Sequence, residues 1–161
     1  MPTVYHNTDS ILVVWEDWLS LLKKEATDAP RSRARLCLHE SAEDSIQEMI
    51  IVFCRDAQIK PHRTMGKSES LSVIEGELRM LMFDDDGNVT STTDMGPPAS
   101  GKPFITRLSS GPWYTYVPLT DHLVILEYSQ GPFDASASES PAWAPDEGRE
   151  LRAFLDNALG K

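Results

Sequence analysis

The stretch "KPHRTMGKSESLSVIEGEL", from Lys60 to Leu78, brings together the side chains of this sequence best suited to chemistry. His62 and Glu69 lie on either side of a short predicted turn between two strands. An imidazole and a carboxylate together suit iron, manganese, nickel or zinc, and each can also move a proton. Arg63 and Lys67 add positive charge beside them, which suits a carboxylate or phosphate on a ligand. Gly76 closes the stretch at a turn and is explained by backbone geometry alone.

Strands must position these groups. "RARLCLHE" alternates, with Leu36 and Leu38 on one side and Arg35, Cys37 and His39 on the other. Arg35 and His39 therefore share a face, and Gln47 holds a similar place on the next strand, "SIQEMIIVFC". "AQIKPHR" follows, and "ESLSVIEGELRMLMFDDDGNV" reads as two strands joined at Glu75-Gly76 and ending in a turn where Gly87 supplies a positive φ. After the loop "TTDMGPPASGKP", three more strands run to Phe133. Strands at this spacing predict an antiparallel sandwich or barrel over 33–133. Trp113 either fills the end of that barrel or packs against a sugar face.

Two helices flank the strands. Over 9–26, Asp9 stands at a capping position and Leu12, Trp15, Leu19 and Leu22 recur at helical spacing. This helix is expected to pack on the outside of the body. A second helix over 146–159 places Leu151, Phe154, Leu155 and Leu159 on one face, with Asp146 and Glu147 at its positive end.

The 161 residues suffice for one domain, 1–161, with a real core. A formal net charge of -10 and a pI of about 4.8 disfavour a nucleic-acid partner. Cys37 and Cys54 fall in apolar runs and read as reduced thiols. The start lacks a secretory pattern and no apolar run approaches a membrane span, so a cytoplasmic protein without a membrane partner is expected. "DDDG" lacks the ligand spacing of a calcium loop.

The stretch from Pro61 to Leu78 resembles the first cupin motif, in which two histidines one residue apart precede a glutamate and then a glycine. His62, Glu69 and Gly76 match, and Thr64 stands in the place of the second histidine. "LSSGPWYTYVPL" is similar to the turn of the second motif, with Tyr114 at the place of its histidine. The ordered set "RARLCLHE", "IQEM", "KPHR", "KSES", "VIEGELRMLMFDDDGNV", "PWYT", "EYSQGPF" and "WAPDEG" resembles the WbuC-type cupin proteins found among sugar and O-antigen genes. The resemblance implies a mainly β fold, a double-stranded β-helix (cupin or jelly-roll barrel) flanked by the two helices, and a homodimer. It also implies a divalent metal (iron, nickel, zinc or manganese) held by His62 and Glu69 in the barrel mouth, and it leans Arg35, His39 and Gln47 toward the cavity.

Three functions follow. In the first, the mouth binds a small polar or anionic ligand, a sugar or nucleotide sugar, and works as an isomerase or epimerase. His62 is then the base, Tyr114 or Tyr116 the acid across the substrate, and Arg63 or Lys67 steadies an enolate-like intermediate. In the second, the protein binds or senses a ligand without catalysis and keeps the pocket for a small anion, whereas a structural relic would fill the mouth with side chains such as Met65, Met80 and Met82. In the third, a metal-dependent enzyme completes its ligand set with Tyr114, His39 or Gln47.

Overall fold

The computed structural model describes residues 3–160 of the chain. Eleven strands and two α-helices are formed among them: β1 (Val4–His6), α1 (Glu16–Asp28), β2 (Arg33–Cys37), β3 (Ile46–Cys54), β4 (Arg63–Thr64), β5 (Glu69–Glu75), β6 (Leu78–Phe83), β7 (Val89–Met95), β8 (Ile105–Leu108), β9 (Trp113–Pro118), β10 (His122–Gln130), β11 (Ser138–Glu139) and α2 (Arg149–Ala158). A six-stranded sheet in the order β1-β2-β3-β10-β5-β8 faces a three-stranded sheet in the order β7-β6-β9, and β4 pairs with β11 at one end. Apart from the parallel β1–β2 edge, these pairings are antiparallel.

Side-chain alternation explains the layering. On β10, Leu123 and Ile125 point between the sheets, where they meet Ile51 and Phe53 of β3, Leu71 and Val73 of β5, and Tyr114 and Tyr116 of β9. The opposite face of the large sheet also needs cover, because Ile50, Val52 and Val124 are apolar. Leu22 and Ala26 of α1 supply it and are fully buried. On the outer face of the small sheet, Leu151 and Leu155 of α2 cover Leu81, Phe83, Trp113 and Val117. Strands such as "MIIVF" are apolar on both faces because both are covered. A fully buried leucine is worth roughly 2 kcal/mol, so both helices belong to the scaffold.

The leading helix differs from the expectation of 9–26. It starts at Glu16, with Trp15 in an extended conformation ahead of it. Leu12 and Val14 pack inward while Ile11, Val13 and Trp15 are exposed, which is the two-residue period of an extended chain. Successive valines favour that conformation, and the helical spacing of Leu12 and Trp15 is incidental. The second helix lies within the expected 146–159. "AQIKPHR" forms no strand before Arg63, and β1 is an additional edge strand. Gly76 has φ 77°, and a Cβ there would lie 2.2 Å from the His122 carbonyl oxygen. Only glycine fits this turn.

Candidate functional site

The site is built where β4 and the chain before it cross the start of β9. His62 and Tyr114 exchange two backbone hydrogen bonds, both of 2.9 Å, in an isolated bridge. This brings their rings to centroids 4.4 Å apart at an angle of 52° and places His62 Nε2 2.9 Å from the Tyr114 hydroxyl. The same hydroxyl donates to Glu69 Oε2 at 2.6 Å, and Thr64 Oγ1 donates to that oxygen at 2.8 Å. His62 Nδ1 lies 2.9 Å from the Lys60 carbonyl oxygen.

Hydrogen-bond accounting constrains the protons. A carbonyl only accepts, so Nδ1 carries a hydrogen. With the Tyr114 hydroxyl donating to Glu69, Nε2 must donate to the phenol oxygen. The three side chains form one continuous hydrogen-bonded chain through the phenol. Tyr114 thus links His62 and Glu69 as a relay. Burial, then the charge of Glu69 and its hydrogen bond, raises the Tyr114 pKa far above the ordinary phenol value. Burial, then Glu127, likewise raises that of Tyr116.

A divalent metal does not fit these residues. His62 and Glu69 direct their atoms at one protonated phenol, Thr64 is spent on Glu69, and burial opposes the phenolate that a tyrosine ligand requires. Among the described residues, no group of three His, Cys, Asp or Glu side chains converges. His39 does not complete such a set, because its Nδ1 lies 3.0 and 3.1 Å from the backbone oxygen and nitrogen of Glu48, beside an open cleft lined by Asn7, Asp9 and Asp44. Nor does Gln47, whose buried amide donates to the carbonyls of Ser41, Ala42 and Asp44 and ties down that loop.

The other expected contacts disperse. Arg63 turns away from its neighbours His62 and Thr64, pairs with Glu139 at 2.7 Å and lies 4.1 Å over the Trp113 ring. Trp113 faces α2 rather than the space between the sheets, and its Nε1 donates to Asp85 at 3.0 Å. Lys67 donates to the Pro132 carbonyl. Met80 is buried in the core and Met82 packs against it, whereas Met65 is exposed. Arg35 stands on the inner side of β2, in register with Ile51 and Ile125, and is exposed.

Sequence reading missed Glu127 and Arg33. Glu127 follows Leu123 and Ile125 on the inner face of β10, opposite Leu71 of β5. Burial, then the charge of Glu69, raises its pKa to about 7, against the opposing pull of Arg35 and Arg33. Arg33 shares the inner side of β2 with Arg35, and burial, then Arg31, lowers its pKa. The detectable signal was a charged residue on the core parity of a strand. The inner face near the relay therefore holds an acid–base group that titrates near neutrality and two guanidinium groups.

Several solved structures share this architecture. Over 80% of this chain and 37% of the other, it is similar to a variant of salicylate 1,2-dioxygenase from Pseudoaminobacter salicylatoxidans in complex with gentisate, with 11% identity and a TM-score of 0.59. A structural-genomics protein from Shewanella oneidensis aligns over 70% of this chain and 75% of its own, with 12% identity and a TM-score of 0.56. Oxalate decarboxylase from Bacillus subtilis aligns over 67% of this chain and 27% of its own, with 15% identity and a TM-score of 0.52. The chain thus spans about a third of the dioxygenase's length and about a quarter of the decarboxylase's. These neighbours have the cupin fold, and the likeness extends to fold alone. No curated protein matches the chain in sequence. A family model matches residues 14–95, just over half of the chain. The chain belongs to the family described as a domain of unknown function, DUF6016.

Proposed function

We propose that this chain is a WbuC-type cupin, a single double-stranded β-helix domain over 1–161, that binds a small polar ligand between its sheets without a metal. The ligand class is a sugar or sugar derivative. The observation that carries this reading is the His62–Tyr114–Glu69 chain, which puts two hydrogen bonds of 2.9 and 2.6 Å where the cupin motif puts an ion. Glu127 of β10 and Arg33 and Arg35 of β2 stand on the inner side of the large sheet, polar groups in a face that is otherwise apolar. A base and an acid that face each other across a substrate need a gap between them. His62 and Tyr114 instead touch, which favours binding over epimerisation through that pair. The proposal includes the cytoplasmic setting and the homodimer that the resemblance implies.

A thermal-shift screen of neutral sugars, nucleotide sugars and small organic acids, with and without a chelator, tests it. At least one class should raise the melting temperature equally in both conditions and lose its effect in Glu69→Gln. A shift that depends on added metal, or no shift with any class, overturns it.

A further inference from the structure

We propose that the cavity between the outer strands of the two sheets receives an uncharged aromatic ring, so that the ligand is a sugar derivative carrying an aryl group rather than a bare sugar. This rests on the small-ligand reading and narrows it.

β7 ends the small sheet and β8 ends the large one. Between them lies a cavity of about 290 Å³. Met80 and Met82 of β6, Met95 of β7 and Leu108 of β8 form its inner wall. Thr93 and Ile105 also line it and are exposed, so it opens to solvent between the two outer strands. The strand register sets this cavity beside the relay. Met82 stands opposite Tyr114 of β9, and Leu108 stands opposite Glu69 of β5. Side chains of directly opposed residues start about 5 Å apart. A ligand that extends past Met82 or Leu108 therefore meets the hydrogen bond between Tyr114 and Glu69.

The lining decides the chemistry of what enters. It holds no charged side chain. An ion there would lose its water without gaining a partner, so the part of the ligand that it takes is uncharged. A bare sugar would press its hydroxyls against methionine and leucine, which leaves them unpaired. A dry cavity of about 150 Å³ already admits benzene, so this one has room for a substituted ring. Three of the chain's six methionines line it. Methionine is unbranched and adapts its shape to a guest. Its sulfur also makes favourable contacts with an aromatic ring, which an aliphatic guest of the same size does not gain. A ring among Met80, Met82 and Met95 leaves the sugar of the same molecule at the relay.

Isothermal titration and methionine-methyl NMR spectra of the full chain test the assignment, with signals identified by single Met→Leu variants. Phenyl β-D-glucoside should bind at least about ten-fold more tightly than D-glucose, a modest return for burying a ring. It should shift the methyl signals of Met80, Met82 and Met95 and leave that of the exposed Met65 in place. Phenol should bind more tightly than cyclohexanol. Thr93→Phe puts a ring of its own at the opening from an exposed position, so it should remove the advantage of the glucoside and leave the melting temperature close to that of the parent. Thr92→Phe, on the other side of β7 and opposite Leu81, should keep that advantage. Equal binding of glucoside and glucose overturns the aryl site while the small-ligand reading stands. So does an advantage that survives Thr93→Phe, or a titration that moves none of the three methionine signals. Cyclohexanol binding as tightly as phenol overturns the aromatic class assigned to the guest. No binding by any of the four probes overturns the aryl site, whereas the small-ligand reading falls only if the wider screen also fails.

Discussion

The Tyr114 hydroxyl stands between His62 Nε2 at 2.9 Å and Glu69 Oε2 at 2.6 Å, joining residues from three separate segments of the chain. Tyr114→Phe keeps the ring and removes both bonds. Because the hydroxyl is buried and one partner is a carboxylate, the loss is expected to cost about 2 kcal/mol of stability in urea unfolding. A double-mutant cycle with His62→Ala should show strong non-additivity, since either change alone breaks the relay. A cost below about 0.5 kcal/mol for Tyr114→Phe would show that the relay does not hold the site together.

The same geometry predicts how to make a metal site. By the resemblance to the cupin motifs, Thr64 and Tyr114 stand in the places of two histidines, and both side chains reach Glu69. The pair Thr64→His with Tyr114→His would therefore surround one point with three imidazoles and a carboxylate, a set suited to a first-row divalent ion. After incubation with zinc and removal of excess, elemental analysis should find close to one ion per chain in this variant and none retained by the parent. Stoichiometric metal in the parent would contradict the reading of the relay as a replacement for the ion.

Gly76→Ala tests the turn that sets β5 against β6. The added Cβ would meet the His122 carbonyl oxygen at 2.2 Å and Thr120 Oγ1 at 2.5 Å, at a φ of 77°. Backbone cannot yield as a flexible side chain does, so a loss of about 3 kcal/mol or more is expected from thermal or urea denaturation. A variant as stable as the parent would mean that the turn adopts another conformation.

Alternation made much of the fold legible. Leu71 and Val73, Leu78 and Met80, and Leu123 and Ile125 each keep the two-residue period of a strand with one face in the core. The pairing of Glu69 with the His62 region was legible because both lie in one local motif. The start of α1 was not, because Leu12 and Trp15 satisfy a helical spacing as well as an extended one and only packing decides. The fate of Arg63 and Lys67 was not legible either. Their partners, Glu139 and Pro132, are 76 and 65 residues away, and no local rule reaches that far. Glu127 was legible from its parity with Ile125 and was overlooked because the strand around it is apolar.

Glu127 yields a pH-dependent prediction with a definite sign. Its pKa is about 7 in the fold against an ordinary 4.5, chiefly through burial and then the charge of Glu69. The groups acting on it are Glu69 from β5, which raises the value, and Arg35 and Arg33 from β2, which lower it, while Tyr114 and Tyr116 of β9 feel its charge in turn. Below the ordinary value the carboxyl is protonated in both folded and unfolded chains and costs nothing. Between the two values the unfolded chain ionises while the folded one holds its proton, so stability falls as pH rises. Above about 7 the penalty is complete. Glu127→Gln removes it and keeps the shape. Full linkage would make the gain about 3 kcal/mol, and solvent reaching a partly exposed carboxyl reduces it to about 1–2 kcal/mol. Urea unfolding of both proteins should therefore show Glu127→Gln close to the parent at about pH 4.5 and more stable at about pH 8 by that amount. An unchanged difference across this range would mean that Glu127 ionises as an ordinary exposed carboxylate and that the inner face holds no neutral-range acid.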